Sequence, residues 1–256
     1  CGRAPNAGCH VKNNRSAELI IQVEKFDRID DAFYPLLGYQ IGKISGSKIP
    51  LITGIEANDI SVDELKAFGA AFATASGAPM FHIAGLTPEA KTVEEATGGK
   101  IDLEVTKIDS SDLRDIWREL NADDRETIDL VSLGNPHFSL SELVRLNELC
   151  RGKVKNDHVS IIVTCSRATL EAAQETGVVS ELEKFGVEFI TDTCWCMISE
   201  PVIPVEAKTL MTNSAKYAHY GPGLTGRKFR FGNLTMCVEA AGRGTLPVQM
   251  PEWLTQ

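Results

Sequence analysis

The sequence predicts an α/β protein of the three-layer α/β/α type, with a mostly parallel sheet covered by helices on both faces. Short apolar, β-branched runs alternate with segments of helical periodicity along most of the 256 residues. Several of these runs end in polar segments that are typical of helix caps and turns. Strands that alternate with helices form βαβ units, and such units pair in parallel.

The first part of the chain contains two well-marked elements. Residues 19–23 form an apolar run that predicts a strand, and residues 61–75 show helical spacing of apolar side chains. Asp59 or Ser61 is the expected cap of that helix. Further predicted elements are a strand at 80–84, a helix that opens at Thr87-Pro88-Glu89, a strand at 101–106 and a helix at 110–120.

The later part repeats a strand–loop–helix unit more regularly. A strand at 128–133 is followed by a predicted turn at 134–137 and a helix that Ser139 caps, with Glu142 in the capping-box position. The other predicted elements are a strand at 159–163, a helix to about residue 175, a strand at 187–190 and a last strand at 208–212.

The polar segment Gly98-Gly99-Lys100 is the expected join between two sub-domains. Residues 1–99 are then the end of a preceding α/β sub-domain, and residues 100–256 form the α/β sub-domain that carries the site loops. The start at Cys1 lacks an initiator Met and resembles the middle of a domain. We therefore expect a fragment or a processed chain.

Composition excludes some classes of function. The formal charge of −9 and the pI near 5.1 argue against a nucleic-acid binder, because phosphate binding needs clustered Lys and Arg. No apolar run approaches the roughly 20 residues of a membrane span. The 7 cysteines are an odd number in a long chain with no signal-peptide pattern, which predicts reduced thiols and a cytoplasmic location.

Four consecutive predicted strands end in polar segments. Parallel strands place such segments at one edge of the sheet, where α/β proteins bind ligands, so we expect one shared site. Helix caps and turns favour the same residue types, which is the simpler alternative. The segments are Gly134-Asn135-Pro136-His137, Thr164-Cys165-Ser166-Arg167, Asp192-Thr193-Cys194 and Asn213-Ser214-Ala215-Lys216.

Individual residues of these segments suit the binding of a small anion. The planar guanidinium of Arg167 can bind a carboxylate through two hydrogen bonds, and the helix that starts at Ser139 presents free N–H groups. His137 lies beside that cap. Lys216 and His219 lie three residues apart and share a face if their segment is helical.

The cysteines of these segments have three interpretations that their spacing leaves open. Cys194 and Cys196 with a distant Cys165 could bind zinc, although structural zinc sites usually show two close pairs. One thiol could be a nucleophile with His137 or His219 as its base. Thiols from several strand ends could also hold an iron–sulfur cluster, which would need another ligand.

Five motifs, in this order along the chain, resemble the aconitase X family. Members of this family are iron–sulfur hydro-lyases related to aconitase, and they include cis-3-hydroxy-L-proline dehydratases and archaeal phosphomevalonate dehydratases. The motifs are the segment from Gly2 to Arg15, Leu133 to Ser139, Thr164 to Arg167, Asp192 to Cys194, and Thr212 to Gly223.

The resemblance implies an aconitase-like fold and covers the later part of the family's large catalytic module. The family's N-terminal region, which supplies a further cluster cysteine, and its small swivelling domain or subunit, which brings a catalytic serine, lie outside the match. Where phosphomevalonate-type members resemble Gly-Cys-Pro-His, this chain has Asn135. The resemblance therefore implies a cluster, 2Fe-2S or 4Fe-4S, held by Cys165, Cys194 and a third thiol from elsewhere, with Cys196 packed beneath the site.

The implied reaction is the dehydration of cis-3-hydroxy-L-proline to Δ1-pyrroline-2-carboxylate. The alternatives are a phosphomevalonate dehydratase-like activity and an incomplete, non-catalytic module that assembles with a partner. Expected partners are a small-molecule hydroxy acid or hydroxy amino acid and the swivelling domain, with no nucleic acid and no membrane. The candidate catalytic residues are His137, Ser166 and Lys216, and the candidate substrate-binding residues are Asn135, Ser139, Arg167, Asn213, Ser214 and His219.

Overall fold

Two parallel sheets organise the protein. The computed structural model describes residues 2–55, 60–122, 125–246 and 249–255. Within them a four-stranded sheet has the order β3-β2-β1-β4 and a five-stranded sheet has the order β7-β6-β5-β8-β9, every neighbouring pair being parallel. The strands are β1 Leu19–Val23, β2 Pro50–Thr53, β3 His82–Ile83, β4 Val105–Ile108, β5 Leu130–Phe138, β6 Ser160–Cys165, β7 Val187–Thr191, β8 Thr209–Thr212 and β9 Lys228–Phe231.

Helices connect and cover these strands, so the predicted three-layer α/β/α class is confirmed. Capping boxes at Ser61 and Ser139 begin α2 and α5 where the sequence predicts helix starts. The helices are α1 Phe33–Ser45, α2 Val62–Ala75, α3 Val93–Thr97, α4 Ser110–Leu120, α5 Leu140–Cys150, α6 Arg167–Glu175, α7 Val178–Phe185, α8 Ala215–Thr225 and α9 Leu234–Arg243.

Several predicted elements differ from the structure. Asp59, the alternative cap of α2, lies outside the described residues, and Ser61 accepts the capping bond from the Glu64 N–H. Thr87-Pro88-Glu89 does not begin a helix, because the Thr87 hydroxyl bonds both backbone groups of Ile83 and closes a turn. The helix begins later, at Thr92, whose hydroxyl caps α3.

Strand boundaries also shift. β5 runs through the predicted turn at 134–137, β3 occupies only part of 80–84, and β4 lies later than the predicted 101–106 strand. The strand at 209–212 is not the last, because β9 follows it.

The first sheet continues past the predicted join at Gly98-Gly99-Lys100, so the first sub-domain comprises the elements from β1 to α4 and the second those from β5 to α9. β4 lies beyond that join and pairs with β1, from Ile20–Val105 to Val23–Ile108. The two sub-domains also share a core, since Ala215 of α8 and Phe231 of β9 pack in the cluster built around α1, α2 and α4. α1 and α2 approach so closely that a side chain at Gly38 would collide with the backbone of Phe68. The first sub-domain is thus held firmly against the edge of the second sheet.

No helix in the described part of the chain is both long and apolar enough to cross a lipid bilayer.

Candidate functional site

The candidate site lies at the carboxyl edge of the second sheet, where the chain changes direction. β5 is central, the chain first adds β6 and β7 on one side, and it then returns to add β8 and β9 on the other. Such a topological switch point leaves a crevice at the carboxyl ends of the two central strands. The polar segments at the carboxyl ends of β5, β6, β7 and β8 therefore come to one edge, as the sequence predicts.

Asn135 joins three of these segments. Its Nδ2 lies 3.7 Å from the Cys196 Sγ, and its Oδ1 lies 3.9 Å from the Cys194 Sγ. Its backbone carbonyl accepts a hydrogen bond from the Ser214 hydroxyl, which crosses the crevice from the start of α8. Because Asn135 is only 4% exposed, these contacts replace water and fix its amide.

Trp195 anchors the loop that carries the two thiols. Its indole Nε1 donates to the Leu133 carbonyl of β5 at 2.7 Å, and its ring lies 5.3 Å from the ring of Tyr217. The Trp195 side chain is buried, whereas Cys194 and Cys196 are half-buried. The buried Trp195 side chain fixes the loop between the two thiols. Both thiols contact the Asn135 amide, so they face the same side of the loop.

Cys165 lies in a different environment. Its side chain is fully buried in the core of the second sub-domain, where burial and the nearby Asp192 charge raise the pKa of its thiol. Its backbone carbonyl accepts the Asp192 N–H, which ties the ends of β6 and β7 together. Among the described residues no ligand group joins Cys165 to the half-buried Cys194, and the pair stays a prediction.

The pair of half-buried thiols has a distinct electrostatic setting. Burial raises the pKa of Cys196, and the neighbouring Cys194 raises it further, while the positive charge of Lys216 opposes both effects. The Tyr217 hydroxyl is buried and has no hydrogen-bond partner among the described residues. Burial raises the pKa of Tyr217, and both thiols add to this effect. An unpartnered buried hydroxyl beside two thiols fits a site that receives a group with acceptor atoms.

Arg167 and Ser166 lie at the rim of the site. Arg167 forms an ion pair with Asp192, and its backbone N–H donates to Asp192 Oδ1 at 3.1 Å. These contacts with Arg167 lower the pKa of Asp192. Ser166 caps α6 through Thr169. The carboxylate that Arg167 binds in this structure is therefore one of the protein's own.

His137 and Ser139 contact the first sub-domain through Lys66 and Asp63 of α2, respectively. The Lys66 Nζ lies 2.9 Å from the His137 carbonyl oxygen, 2.5 Å from Glu142 Oε2 and 3.1 Å from Asp63 Oδ1. The Ser139 hydroxyl donates to Asp63, and its N–H donates to Glu142. The start of α5 is thus occupied by two carboxylates of the protein itself.

The His137 ring points to the thiol loop. Its Nε2 lies 3.0 Å from the carbonyl oxygen of Thr193, the residue before Cys194. His137 therefore connects the Lys66 contacts on its backbone to the loop that positions the thiols.

α8 carries the remaining candidates. Ser214 caps it through the Tyr217 N–H, Asn213 lines the crevice, and Lys216 is half-buried near Cys196. His219 is exposed and contacts the Tyr39 hydroxyl of α1 at 2.7 Å. The predicted helical face that Lys216 and His219 share is confirmed by the helix.

A cleft of about 290 Å³ opens beside Asn213, between α2 and α5. Its walls carry more acidic than basic side chains. The charged residues that line it are Asp31, Asp63, Glu64, Glu142 and Arg145.

The sequence did not identify Lys66, Asp63, Tyr39 or Glu119 as part of this region. Lys66 and the His137 carbonyl are 71 residues apart, and Tyr39 and His219 are 180 residues apart. No local pattern marks such contacts. The described residues also contain no group of three or more His, Cys, Asp or Glu side chains placed to hold a metal ion.

Comparison with known proteins gives a consistent result for both sub-domains. The family model of the aconitase X second domain matches residues 17–118, and that of the third domain matches residues 128–243. A crystal structure of Thermococcus kodakaraensis aconitase X in its holo form superposes with a TM-score of 0.80 at 30% identity, covering 94% of this chain and 59% of that chain.

Curated relatives fall into two groups of different similarity. A cis-3-hydroxy-L-proline dehydratase of Hypocrea jecorina is 55% identical over 99% of this chain and 43% of its own length. One of Pseudomonas aeruginosa is 48% identical over 100% of this chain and 44% of its own length. A phosphomevalonate dehydratase large subunit of Methanothermobacter thermautotrophicus is 34% identical over 88% of this chain and 53% of its own length. The chain thus spans about half the length of these relatives.

Proposed function

Because the chain belongs to the aconitase X family, we propose that it is part of a hydro-lyase that dehydrates cis-3-hydroxy-L-proline to Δ1-pyrroline-2-carboxylate. The observation that carries the proposal is the 55% identity, over 99% of this chain, with a relative named for that reaction. The similarity to phosphomevalonate dehydratase large subunits is much lower, at 34% or less.

The charge of the cleft supports a hydroxy amino acid over a phosphorylated substrate. Asp31, Asp63, Glu64 and Glu142 line the cleft, whereas the described cations in contact with them are Arg145 and Lys66, so four carboxylates face two positive charges. A phosphate dianion would be repelled there, whereas the ring ammonium of hydroxyproline would be attracted. The positive groups closer to the thiols, such as Lys216, suit a single carboxylate.

The proposed reaction removes a proton from Cα and a hydroxide from Cβ, so that one molecule of water leaves. The resulting enamine tautomerises to the cyclic imine. We assign proton transfer to His137, Ser166 and Lys216, whose ammonium would also hold the carboxylate next to the reacting carbon. Substrate orientation falls to Asn135 and Asn213, which border the crevice. The other proposed binding residues are Ser139, Arg167, Ser214 and His219.

Iron–sulfur hydro-lyases use a cluster. The site contains thiols, which are the right type of ligand, but the described residues bring together fewer than three of them. Thiols are the usual cluster ligands, and the unpartnered Tyr217 hydroxyl fits an acceptor atom of such a group. We propose Cys194 as a ligand, with Cys165 as its predicted companion and a third thiol from outside this chain. When bound, the cluster would supply a Lewis acid for the departing hydroxyl or the carboxylate.

A partner and a location follow from the same proposal. Relatives named large subunits support assembly with a small swivelling domain or subunit. The described cysteines are all free thiols, which supports a reducing, cytoplasmic compartment.

The test is anaerobic purification with iron and sulfide analysis, followed by dehydratase assays. We expect water loss from cis-3-hydroxy-L-proline but not from phosphomevalonate, with the small-domain partner supplied. Cys194→Ala should abolish cluster absorbance and turnover, whereas Cys150→Ala, which removes a buried thiol away from the site, should keep both. Turnover of phosphomevalonate alone would contradict the substrate, and full activity of Cys194→Ala would contradict the cluster ligand. A chain that assembles with its partner but never turns over would support the non-catalytic alternative.

A further inference from the structure

A chain of hydrogen bonds leads from α1 and α4 to the ring of His219 on α8. The Lys43 Nζ lies 2.6 Å from Glu119 Oε2, and the Tyr39 hydroxyl donates to Glu119 Oε1 at 3.0 Å. The Tyr39 oxygen then lies 2.7 Å from Nδ1 of His219. We name these four side chains the α8 relay.

The proton positions in the α8 relay are determined by its two ends. Lys43 can only donate, and an ionised Glu119 can only accept. Burial acts to raise the pKa of Glu119, but the bonds from Lys43 and Tyr39 outweigh it and lower the pKa. Tyr39 is 2% exposed, and burial raises its pKa, so it keeps its single proton.

The single proton of Tyr39 decides the state of His219. Tyr39 keeps this proton and uses it to donate a hydrogen bond to Glu119. The Tyr39 oxygen can therefore only accept a hydrogen bond from the histidine. Nδ1 of His219 must therefore carry a hydrogen. In the neutral ring Nε2 is then the acceptor, and Nε2 has no hydrogen bond with the described residues.

We propose that Glu119 and Tyr39 are positioning residues that hold His219 in the Nδ1–H tautomer, so that its Nε2 presents a lone pair on the exposed side of α8. Lys216 lies three residues earlier on the same helix face. A cation and a neutral acceptor side by side suit a zwitterion, with the carboxylate on Lys216 and an N–H or O–H of the substrate on His219. This second step rests on the proposed function, whereas the tautomer does not.

The direct test is the tautomer of His219, read from the ring ¹⁵N chemical shifts of the full chain at pH 8.5, where histidine is ordinarily neutral. The spectrum of His219→Gln assigns the signal among the 5 histidines. We expect the Nδ1–H form in the wild type and a shift toward the Nε2–H form in Tyr39→Phe. Glu119→Gln should act in the same direction, and its side chain is 44% exposed, so folding should tolerate the change.

Tyr220→Phe is the matched control. The Tyr220 ring packs against the His219 ring at 4.9 Å between centroids, so this variant changes a ring neighbour of the histidine but leaves the α8 relay intact. An Nε2–H tautomer in the wild type, or an equal response of Tyr39→Phe and Tyr220→Phe, would overturn the proposal.

Kinetics with cis-3-hydroxy-L-proline separate the relay from the proposed function. Tyr39→Phe should lower kcat/KM about tenfold, taking as a guide the lower end of the effect that orienting partners have on metal-bound histidines, and Tyr220→Phe should not. Unchanged kcat/KM in Tyr39→Phe would overturn the role in substrate binding. A wild type that shows the Nδ1–H tautomer but no dehydratase activity with the small-domain partner supplied would contradict the proposed function and leave the positioning role supported.

Discussion

Lys66→Met should destabilise the protein by roughly 2 to 3 kcal/mol at neutral pH. Lys66 makes three charge-assisted contacts, with Glu142, Asp63 and the His137 carbonyl. Hydrogen bonds to charged groups contribute about 1.5 to 3 kcal/mol each when buried. The side chains of Lys66, Asp63 and Glu142 are 28%, 25% and 21% exposed, so water replaces part of each lost bond.

The stability lost in Lys66→Met should depend on pH, because Glu142 titrates differently without the lysine. Burial raises the pKa of Glu142 above its usual value, and the Lys66 charge opposes that rise, so the variant raises it further. A carboxyl whose folded pKa exceeds its unfolded pKa contributes stability that is present below the unfolded pKa and lost as pH rises through the folded pKa. The variant should therefore lose more stability between acid and neutral pH than the wild type. Burial acts to raise the pKa of Asp63, but hydrogen bonds from Ser141, Ser139 and Lys66 outweigh it and lower the pKa. The loss of the Lys66 contact of Asp63 should therefore account for the part of the deficit that remains in acid.

The assay is urea unfolding of the full chain at pH 7.5 and near pH 4, with Lys184→Met as the matched control. Lys184 forms the same i,i+3 pair with an acidic residue, but its side chain is 70% exposed, so its loss should cost at most about 0.5 kcal/mol. Equal costs for Lys66→Met and Lys184→Met, or a Lys66→Met deficit that does not change with pH, would refute this reasoning.

Two further predictions concern the second sheet. Gly134→Ala should destabilise the protein by about 3 kcal/mol and lower Tm by roughly 6 to 12 °C, because Gly134 has φ +93° and its new Cβ would collide with the Thr164 carbonyl. Gly223→Ala, with open space around it, is the control, and equal Tm values for the two variants would contradict the clash. Alkylation of the native protein at pH 8, read by mass spectrometry, should label Cys194 but not Cys150. Cys150 is 5% exposed, and burial raises the pKa of its thiol to about 12. Comparable labelling of the two thiols would contradict the described burial.

Elements with local signals were predicted well from the sequence. The helix predicted at 110–120 is α4 with the same bounds, and the capping box at Ser139 begins α5. In both, a cap and one apolar face lie within a dozen residues of each other, so no distant contact is needed to specify the helix.

α1 and β9 escaped prediction for reasons that lie in tertiary packing. α1 contains Gly38 and Gly42, which weaken a helix by themselves but allow the close approach of α2. β9 contains Arg230, which looks like part of a basic surface segment. Its guanidinium is in fact buried and bonds Asn121 and the Arg125 carbonyl.

The candidate site likewise combines residues that the sequence predicts with residues that only the tertiary packing reveals. Asn135 and Ser214 stand at strand ends, so their meeting at one edge follows from parallel pairing and was predicted. Lys66, Tyr39 and Glu119 lie on helices of the first sub-domain, and their roles depend on how two sub-domains pack. A single sequence carries no signal for that packing.

The contacts of Asn135 have a consequence for the order of folding. Its partners Cys194, Cys196 and Ser214 are 59, 61 and 79 residues further along the chain. During synthesis, Asn135 therefore emerges long before any of them, and the crevice can close only after β8 and the start of α8 have left the ribosome. Contacts of such sequence separation form late, after local helices and neighbouring strands. Until then the thiols belong to an open chain, so any cofactor that needs the finished crevice must be acquired after synthesis of this region rather than during it.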